Sequence, residues 1–591
     1  MFDKILVANR GEIAVRIIRT AHEMGIAVVA VYSDADRDAL HVRLADEAYH
    51  LGPSPPAASY LDAAKLLEVA RRSGAQAIHP GYGFFAENAG FARQVTAAGL
   101  TWIGPHADAI DAMGDKLRAR RAMEAAGVPF VPGGTEAVTD AADALRAARA
   151  YGLPLALKAS GGGGGKGLKV AYTAEELAPA FETARREAEL YFKNGTIYAE
   201  RYLDNPKHVE LQILADKFGN VVHAGERDCS LQRRHQKLWE EAPALISDEL
   251  RGAIRSAGIR AAAAIGYDSV GTIECLVAGN AFYFLEMNTR IQVEHTVTEM
   301  ISGIDFVREQ IRVAAGEPLD FGQADLTFDG FAIEGRVNAE DPARQFRPAP
   351  GTITGYREPG GPGVRIDSAA YQGWTIPADY DSLIAKLVVW APTRARAIDR
   401  LRRAIDEYVV IGVPTTLPLL RALCDHPLVV DGTYGTATLE AFAQTFEPNA
   451  ASTGETVARV VPAIGPPADF DSGDDPTIRV EVDDKLYRVR VVDSPFEPTI
   501  GAGRPAAPRL RAARTSRAQS AGNEVVSPMH GAIVALNVAE GASVAEGQVV
   551  AVIEAMKMMN EIRAHRSGVA IKVHGVAGDA IEAGSPLVTI E

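Results

Sequence analysis

Residues 270–295, VGTIECLVAGNAFYFLEMNTRIQVEH, carry the pattern that most strongly constrains the fold. Two apolar runs, 270–277 and 281–287, have the composition of β-strands and flank the triplet Ala278-Gly279-Asn280. This arrangement predicts a β-hairpin, whose strands bring residues that are distant in sequence into direct opposition. The hairpin also has acidic residues on both strands, which makes it a candidate functional site.

The acidic pair of this hairpin predicts a metal site. If the turn is centred on Asn280, Glu274 and Glu286 are direct cross-strand partners. Like charges in direct opposition destabilise a sheet, and a divalent cation between them reverses that interaction. Asn288 follows on the same face as Glu286 and adds a third oxygen. Oxygen-only ligation suits Mg²⁺ or Mn²⁺ held together with substrate phosphates, and a solvated pair of edge glutamates is the alternative.

The residues that follow the hairpin predict an anion site. In an extended segment, Arg290, Gln292 and Glu294 point the same way because they occupy alternate positions. An arginine and a carboxylate that converge there can hold an anion and remove its proton. An ordinary salt-bridged strand is the alternative. His295 points the other way, and we expect a structural role for it.

A glycine-rich loop, GGGGGKG at 161–167, lies between two predicted strands at 154–158 and 168–172. Glycines let backbone N–H groups approach phosphate closely, and Lys166 adds a positive charge. A Walker loop needs Ser or Thr after the lysine and then a helix, whereas here Gly167 and a strand follow. We therefore predict a flap over phosphates, with a flexible hairpin tip as the alternative.

The first hundred residues alternate strand and helix signals, which predicts a parallel, doubly wound sheet. A dinucleotide fingerprint needs three spaced glycines, and the first turn contains only Gly11. We expect a Rossmann-like layer that need not bind a dinucleotide. The predicted strands are 5–8, 27–32, 75–78 and 101–103, and the predicted helices are 12–24 and 60–72.

Composition excludes several classes of protein. The 61 Lys plus Arg residues against 76 Asp plus Glu give a net charge of −15, which argues against a general nucleic-acid binder. Three cysteines cannot build a disulfide framework. No apolar stretch approaches the roughly 18 residues of a membrane span, and the first apolar run is too short for a secretion signal. We expect a cytoplasmic protein without nucleic-acid or membrane partners.

The C-terminal region contains an internal repeat. The residues Gly531, Gly541, Val544, Gly547, Ile553 and Glu554 recur 37 residues later as Gly568, Gly578, Ile581, Gly584, Ile590 and Glu591. Two equal strand-rich halves predict a small quasi-twofold β-sandwich. Lys557 lies between the halves, after an Arg-, Ala- and Pro-containing linker, where a covalently loaded swinging arm is expected. A solvated surface lysine is the alternative.

Taken together, the motifs resemble those of the α subunits of two-subunit acyl-CoA carboxylases of the acetyl-CoA and propionyl-CoA type. In that family an ATP-grasp biotin carboxylase precedes a biotin carboxyl carrier domain. The resemblance covers residues 1 to about 446 and 523–591. The motifs that carry it are KASGGGGGKG (158–167), ERDCSLQRRHQK (226–237), FLEMNTRIQVEH (284–295), GRVNAEDP (335–342) and EAMKM (554–558).

The resemblance implies a multidomain α/β and α+β architecture. The expected parts are a Rossmann-like biotin carboxylase N-terminal domain (1–114), an ATP-grasp domain (115–330) with a glycine-rich lid (about 130–203), a biotin carboxylase C-terminal domain (331–446), a connector with a small β segment (447–522), and an all-β biotinyl domain of the lipoyl type (523–591).

The resemblance also implies roles for individual residues. Contacts with ATP are expected from Lys116, Lys158, Gly163, Gly164, Gly165, Lys166, Glu200, His208, Gln232 and His235. Divalent ions are expected at Glu274, Glu286 and Asn288. Bicarbonate is expected at Lys237, Arg290, Gln292 and the backbone of Val293, with Glu294 as its general base. Arg336 is expected over the ureido oxygen of biotin, which Lys557 carries covalently.

The implied reaction converts bicarbonate and ATP into carboxyphosphate, whose CO₂ is then captured by biotin. A separate carboxyltransferase β subunit would pass the carboxyl group to acetyl-CoA or propionyl-CoA, with methylcrotonyl-CoA or another acyl-CoA as the alternative. A biotin protein ligase would load Lys557, and we expect a homo-oligomer within a larger hetero-oligomer. Two rival hypotheses are an ATP-grasp ligase with an amine acceptor and a nucleotide-binding biotin carrier without turnover.

Overall fold

The structure, a computed structural model, describes residues 1–161, 167–192, 194–234, 236–447, 477–482, 485–490, 523–529, 531–555, 558–581 and 584–591. The chain forms two compact units. One contains Met1–Ile376 and Leu383–Val460, and the other contains Pro377–Ser382 and Val461–Glu591. No helix among the described residues is both long and apolar enough to cross a membrane.

The N-terminal layer of the first unit is a parallel sheet with strand order β3-β2-β1-β4-β5, as predicted. Its strands are mostly buried and rich in apolar residues, as expected for a sheet with helices on its faces. The predicted helix at 60–72 begins later because Asp62 caps the backbone N–H of Lys65. The elements are β1 (Lys4–Val7), α1 (Gly11–Glu23), β2 (Ala27–Ser33), α2 (Leu40–Leu44), β3 (Glu47–Gly52), α3 (Ala63–Ser73), β4 (Ala77–His79), α4 (Ala89–Ala97), β5 (Thr101–Trp102) and α5 (Ala107–Gly114).

A small α/β segment follows and has its own apolar core around Leu155, Phe181 and Ala188. Its three strands form an antiparallel sheet of order β7-β6-β8, so the glycine-rich loop connects two adjacent strands, as predicted. The elements are α6 (Lys116–Ala125), α7 (Ala141–Tyr151), β6 (Leu155–Ala159), β7 (Leu168–Ala171), α8 (Leu177–Phe192) and β8 (Ile197–Arg201).

An eight-stranded antiparallel sheet forms the centre of the first unit, with strand order β13-β12-β9-β10-β11-β14-β21-β19. One continuous sheet therefore carries both the acidic hairpin and the strand that contains Arg336. The elements that build it and follow it are β9 (Lys207–Ala215), β10 (Val221–Arg233), β11 (Gln236–Ala242), α9 (Asp248–Ala264), β12 (Val270–Ala278), β13 (Ala281–Asn288), α10 (His295–Ser302), α11 (Phe306–Ala314) and β14 (Phe331–Asn338).

The remainder of the first unit packs short hairpins and helices against the end of this sheet. Its elements are β15 (Glu340–Asp341), β16 (Arg347–Pro348), β17 (Gly351–Thr352), β18 (Gly355–Arg357), β19 (Val364–Ser368), β20 (Thr375–Ile376), β21 (Leu383–Ala391), α12 (Arg394–Glu407), β22 (Val409–Ile411), α13 (Leu417–Leu423), α14 (Pro427–Val430) and α15 (Thr438–Thr445).

The second unit contains an antiparallel strand pair and a β-sandwich of two four-stranded sheets, ordered β25-β32-β30-β27 and β29-β28-β26-β31. The elements are β23 (Thr477–Val482), β24 (Lys485–Arg490), β25 (Glu524–Val526), β26 (Gly531–Leu536), β27 (Ser543–Val544), β28 (Val549–Ala555), β29 (Met558–Arg563), β30 (Gly568–Val573), β31 (Ala580–Ile581) and β32 (Pro586–Ile590).

Backbone hydrogen bonds confirm the predicted quasi-twofold symmetry of the sandwich. Gly547 donates to the carbonyl of Ala564 at 2.8 Å, and Gly584 donates to the carbonyl of Ser527 at 2.7 Å. The two donors are 37 residues apart in sequence, and so are the two acceptors. Lys557, which connects the two halves, lies outside the described residues.

Candidate active site

The acidic hairpin has the predicted pairing but a different turn. Glu274 and Glu286 are direct cross-strand partners. The turn is not centred on Asn280, because Ala278 pairs with Ala281 across a two-residue turn. A register shift next to Glu274 then restores the opposition of the two glutamates.

Basic side chains balance the negative charge of the Glu274–Glu286 pair. Lys116 donates to Glu286, and Lys237 donates to Glu274 at 3.0 Å. Asn288 donates its amide to Glu274 at 2.9 Å. Two carboxylates and an amide on adjacent strands are the hard oxygen donors that Mg²⁺ or Mn²⁺ prefers, so the residues fit a divalent ion. Glu286 is 29% exposed, which leaves it accessible to such an ion.

Lys237 connects three acidic side chains that come from different parts of the sequence. Its ammonium group donates to the carboxylates of Glu210, Glu274 (3.0 Å) and Glu294 (2.7 Å). Although burial opposes its charged form, these carboxylates raise the pKa of Lys237 well above its usual range. Lys237 is therefore a permanent cation at the centre of the site.

His208 lies beside the same carboxylates. Its Nε2 is 3.3 Å from Glu210 and 3.2 Å from Glu274. Burial lowers the pKa of a histidine, but these two acids outweigh it and raise the pKa of His208 to about 9. The imidazole is thus a second positive charge next to the acidic hairpin.

Ligand atoms in two sets of side chains lie within 4.8 Å of one another: His208, Glu210 and Glu274 form one set, and Glu210, Cys229 and Glu294 form the other. Lys237 binds carboxylates of both sets, so a lysine supplies the cation that these acids need. Burial raises the pKa of Cys229 well above its usual range, which disfavours the thiolate that a metal requires. The first set shares only Glu274 with the predicted metal site, and the second set shares no residue with it.

Glu294 lies between Lys237 and Arg336. Its two oxygens accept hydrogen bonds from Lys237 at 2.7 Å and from Arg336 at 3.0 Å. Burial alone would raise the pKa of Glu294, but the two cations hold it well below its usual range. Glu294 is therefore ionised.

The segment that carries Arg290, Gln292 and Glu294 is a turn, so the predicted extended conformation is wrong. Glu294 has φ −80° and ψ 9° and directly precedes α10. Gln292 still reaches the acidic hairpin and donates to Glu274 at 2.8 Å. Arg290 also reaches the hairpin, donating to Oδ1 of Asn288 at 3.0 Å, and its Nε lies 3.1 Å from Glu87.

Two residues next to this turn hold its backbone in place. His295 is fully buried, and its Nδ1 donates to the carbonyl of Gln292 at 2.6 Å, consistent with the predicted structural role. Lys386, also fully buried, donates to the carbonyl of Val293 at 3.0 Å. The Gln292 and Val293 carbonyls are thus both fixed by buried donors.

Two of the expected ATP contacts, Lys158 and Glu200, pair with each other. Lys158 donates to one oxygen of Glu200, and Arg120 donates to the other at 2.6 Å. Gln232 is buried on β10 and is the cross-strand partner of Lys237. His235, Gly163, Gly164, Gly165 and Lys166 lie outside the described residues.

Glu210 and Arg227 are two fully buried residues of the site that the sequence analysis did not identify. Arg227 is completely buried and donates six hydrogen bonds, to Glu210, Gln212, Thr272, Gln292 and Thr298. The available signal was the run of charged residues Glu226, Arg227 and Asp228 inside a strand, because buried charges must be paired.

Comparisons with known proteins match this arrangement along the whole chain. The matching families are described as "Biotin carboxylase, N-terminal domain" (residues 1–110), "Carbamoyl-phosphate synthase L chain, ATP binding domain" (115–321), "Biotin carboxylase C-terminal domain" (334–441) and "Biotin-requiring enzyme" (523–590). The "Biotin-dependent acyl-coenzyme A carboxylase alpha3 subunit" of Mycobacterium leprae is 44% identical over 100% of this chain and 98% of its own length. The chain belongs to the α subunits of the biotin-dependent acyl-CoA carboxylases.

Further relatives of this α subunit extend the agreement. The "Propionyl-CoA carboxylase alpha chain" of Ruegeria pomeroyi is 38% identical over 100% of both chains. The biotin carboxylase domain of Hydrogenobacter thermophilus 2-oxoglutarate carboxylase, solved with MgADP and bicarbonate, superimposes with a TM-score of 0.73. It is 49% identical and covers 76% of this chain and 99% of its own.

The expected fold and enzyme classes are therefore confirmed. This α subunit is an ATP-dependent ligase that carboxylates biotin. Its cofactors are ATP with Mg²⁺ or Mn²⁺ and covalently bound biotin.

Proposed function

We propose that the site around Lys237 carboxylates the biotin carried on Lys557 and that a separate carboxyltransferase β subunit then carboxylates acetyl-CoA or propionyl-CoA. The observation that carries this proposal is the continuous series of ion pairs Lys237–Glu294–Arg336, in which Glu294 joins cations from two strands of the central sheet. It joins a cationic anion-binding centre, an ionised base and a guanidinium within one site.

The bicarbonate end of the site consists of Lys237, Arg290, Gln292 and Val293. Lys237 and Arg290 supply positive charge, and Glu294 is the ionised carboxylate that removes the proton of bicarbonate. An anion that binds Lys237 weakens the contact between Lys237 and Glu294. Binding of the substrate thereby raises the basicity of Glu294 at the moment when a base is needed.

The phosphate end consists of the acidic hairpin and the lysines that face it. Glu274, Glu286 and Asn288 would hold the divalent ion, which neutralises phosphoryl charge when bound. Lys116 now donates to Glu286, so an ion at the hairpin frees this lysine for a phosphate oxygen. The same exchange applies to Lys158 and Glu200.

The biotin end is Arg336. Nη1 of Arg336 has no partner among the described residues, and the side chain is 16% exposed, so its donors fit a carbonyl-type oxygen. Bound biotin supplies the ureido nitrogen that accepts the carboxyl group. The Arg336 guanidinium stabilises negative charge that develops on the neighbouring oxygen.

The relatives support the proposed acceptor and partners. Both full-length relatives are named as α subunits, which supports a separate β subunit for the second half-reaction, and a biotin protein ligase to load Lys557. One of them is named for propionyl-CoA, which supports propionyl-CoA alongside acetyl-CoA ahead of methylcrotonyl-CoA. We also propose assembly as a homo-oligomer within a larger hetero-oligomer.

The test is bicarbonate-dependent ATP hydrolysis by the full chain with added free biotin, combined with an intact mass. Biotin should stimulate turnover, and Arg336→Ala should remove that stimulation. A mass increase that Lys557→Ala abolishes would identify the carrier lysine. ATP hydrolysis that responds to neither bicarbonate nor biotin would contradict the proposal and favour a nucleotide-binding carrier without turnover.

A further inference from the structure

Behind Arg336 lies a buried glutamate with no role in the proposed reaction. Glu240, on β11, is completely buried, accepts a hydrogen bond from Nε of Arg336 at 2.6 Å and lies 2.5 Å from its Nη2. Both contacts use Oε1, and Oε2 has no hydrogen-bond partner among the described residues. Burial outweighs the opposing effect of the Arg336 guanidinium and raises the pKa of Glu240 to about 8. Arg336 is therefore the group that favours the charged form of Glu240.

The nitrogens of Arg336 divide into engaged and available donors. A guanidinium carries five N–H groups on three nitrogens in one rigid plane. Nε binds Glu240, and Nη2 lies between Glu240 and Glu294. Only Nη1 is left without a partner among the described residues. Because the plane is rigid, fixing Nε and Nη2 also fixes the direction of the two Nη1 donors.

We propose that Glu240 is the positioning residue for Arg336. It holds the guanidinium so that Nη1 remains directed toward the ureido oxygen of biotin. This inference rests on the proposed function, in which Arg336 binds that oxygen. Donors that are already oriented need no reorganisation when charge develops, so Glu240 increases the rate of the biotin-dependent step without touching biotin.

Glu334 is a matched control for Glu240. It is the direct cross-strand partner of Glu240 on β14 and is equally buried. Its carboxylate accepts a hydrogen bond from the hydroxyl of Thr296, and no hydrogen bond or ion pair joins it to Arg336 in the described structure. If the stimulation of ATP turnover by biotin falls only because a buried charge is altered, Glu240→Gln and Glu334→Gln should reduce it equally.

The experiment compares Glu240→Gln, Glu240→Asp and Glu334→Gln in the full chain. The quantity measured is the ratio of ATP turnover with free biotin to turnover without biotin, both with bicarbonate. We expect this ratio to fall about tenfold or more in Glu240→Gln, because small misplacements of catalytic groups have effects of that size or larger. Glu240→Asp should retain more of the ratio than Glu240→Gln, and Glu334→Gln should stay within about twofold of the wild type.

A double variant tests whether Glu240 acts through Arg336. In an Arg336→Lys background, Glu240→Gln should change the ratio by less than about twofold, because the group that it positions is gone. Equal losses in Glu240→Gln and Glu334→Gln, or a full additional loss in the Arg336→Lys background, would overturn the inference. A wild-type chain that does not respond to biotin would instead refute the proposed function and this inference with it.

Discussion

The two functional regions of this chain treat charge in opposite ways. In the first unit, Lys237 is 12% exposed, and its partners Glu210 and Glu294 are 0% and 2% exposed. In the described part of residues 523–591, Ser527 is the only buried polar residue. The core of that β-sandwich consists of apolar side chains such as Val550, Leu587 and Ile590. Buried charge is thus concentrated where bond making is proposed.

The difference reflects what each region has to do. A site that polarises phosphate and bicarbonate needs charges that water does not screen, and each of these must be paired to remain buried. A carrier needs only to hold its lysine on a stable domain, and an apolar core provides that stability without buried charges that must be paired. Changes near Lys237 should therefore affect activity and stability together, whereas changes in the sandwich should affect only the carrier.

The largest effect is expected for Lys237→Met. This change leaves three buried carboxylates without their shared cation, so ATP turnover should fall about 1,000-fold, and the unfolding free energy by about 3–5 kcal/mol. Bicarbonate-dependent ATP hydrolysis and hydrogen exchange of β9 and β12 measure the two losses. Lys217→Met is the control, because among the described residues Lys217 binds a carbonyl and no carboxylate. Near-normal turnover in Lys237→Met would contradict the account.

Arg227→Lys should be the next most damaging change. A lysine keeps the charge but has three N–H donors in place of the five of a planar guanidinium, and each buried acceptor left unpaired costs about 1–3 kcal/mol. Local protection from hydrogen exchange in β9 and β10 should drop by about 3 kcal/mol. Arg255→Lys provides the comparison, because Arg255 is 25% exposed and pairs with one acid, Glu226. Equal effects of the two changes would show that burial of Arg227 is unimportant.

In the carrier, Gly531→Ala and Gly568→Ala should each destabilise the sandwich by about 1–3 kcal/mol. A Cβ at Gly531 would lie 2.4 Å from the carbonyl oxygen of Glu554, and one at Gly568 would lie 2.2 Å from that of Glu591. Hydrogen exchange of β28 and β32 reports the loss, and ATP turnover with free biotin should not change. Lower turnover in either variant would contradict the separation of the two regions.

The smallest effect concerns pH. Burial lowers the pKa of His41 to about 4, compared with about 6.5 in an unfolded chain. The unfolded state therefore binds more protons between these values, and stability, full above pH 6.5, falls by about 1.4 kcal/mol per pH unit below it. Hydrogen exchange of β2 between pH 6.5 and 5 should show this decrease of stability with falling pH. The same measurement on β28 should show no such decrease.

His41→Gln should reduce the slope in β2 because it removes the titrating group. His22→Gln, which changes a histidine that is 40% exposed, should leave it unchanged. An equal pH dependence in β2 and β28 would mean that buried charge does not distinguish the two regions.

The parts of the molecule that the sequence predicts are those with local or repeated patterns. The pairing of Glu274 with Glu286 follows from a short hairpin, and the β-sandwich follows from a 37-residue repeat. By contrast, Lys237 and Glu294 are 57 residues apart, and Arg336 and Glu240 are 96 residues apart. Such contacts depend on the order of strands in the central sheet, which periodicity does not reveal.

The turn that carries Arg290, Gln292 and Glu294 shows a second limit. Its sequence alternates like a strand, and tertiary contacts override that tendency. The buried side chains of His295 and Lys386 bind the carbonyls of Gln292 and Val293 and stabilise a turn before α10. Neither donor is recognisable as such before the fold is known.

The most direct test of the central claim is transfer of label from carbon-14-labelled bicarbonate to the biotinylated full chain in the presence of ATP and Mg²⁺. The account predicts protein-bound label in the wild type and none in Arg336→Ala or Lys557→Ala. Label that persists in Lys557→Ala, or that appears without ATP, would contradict it.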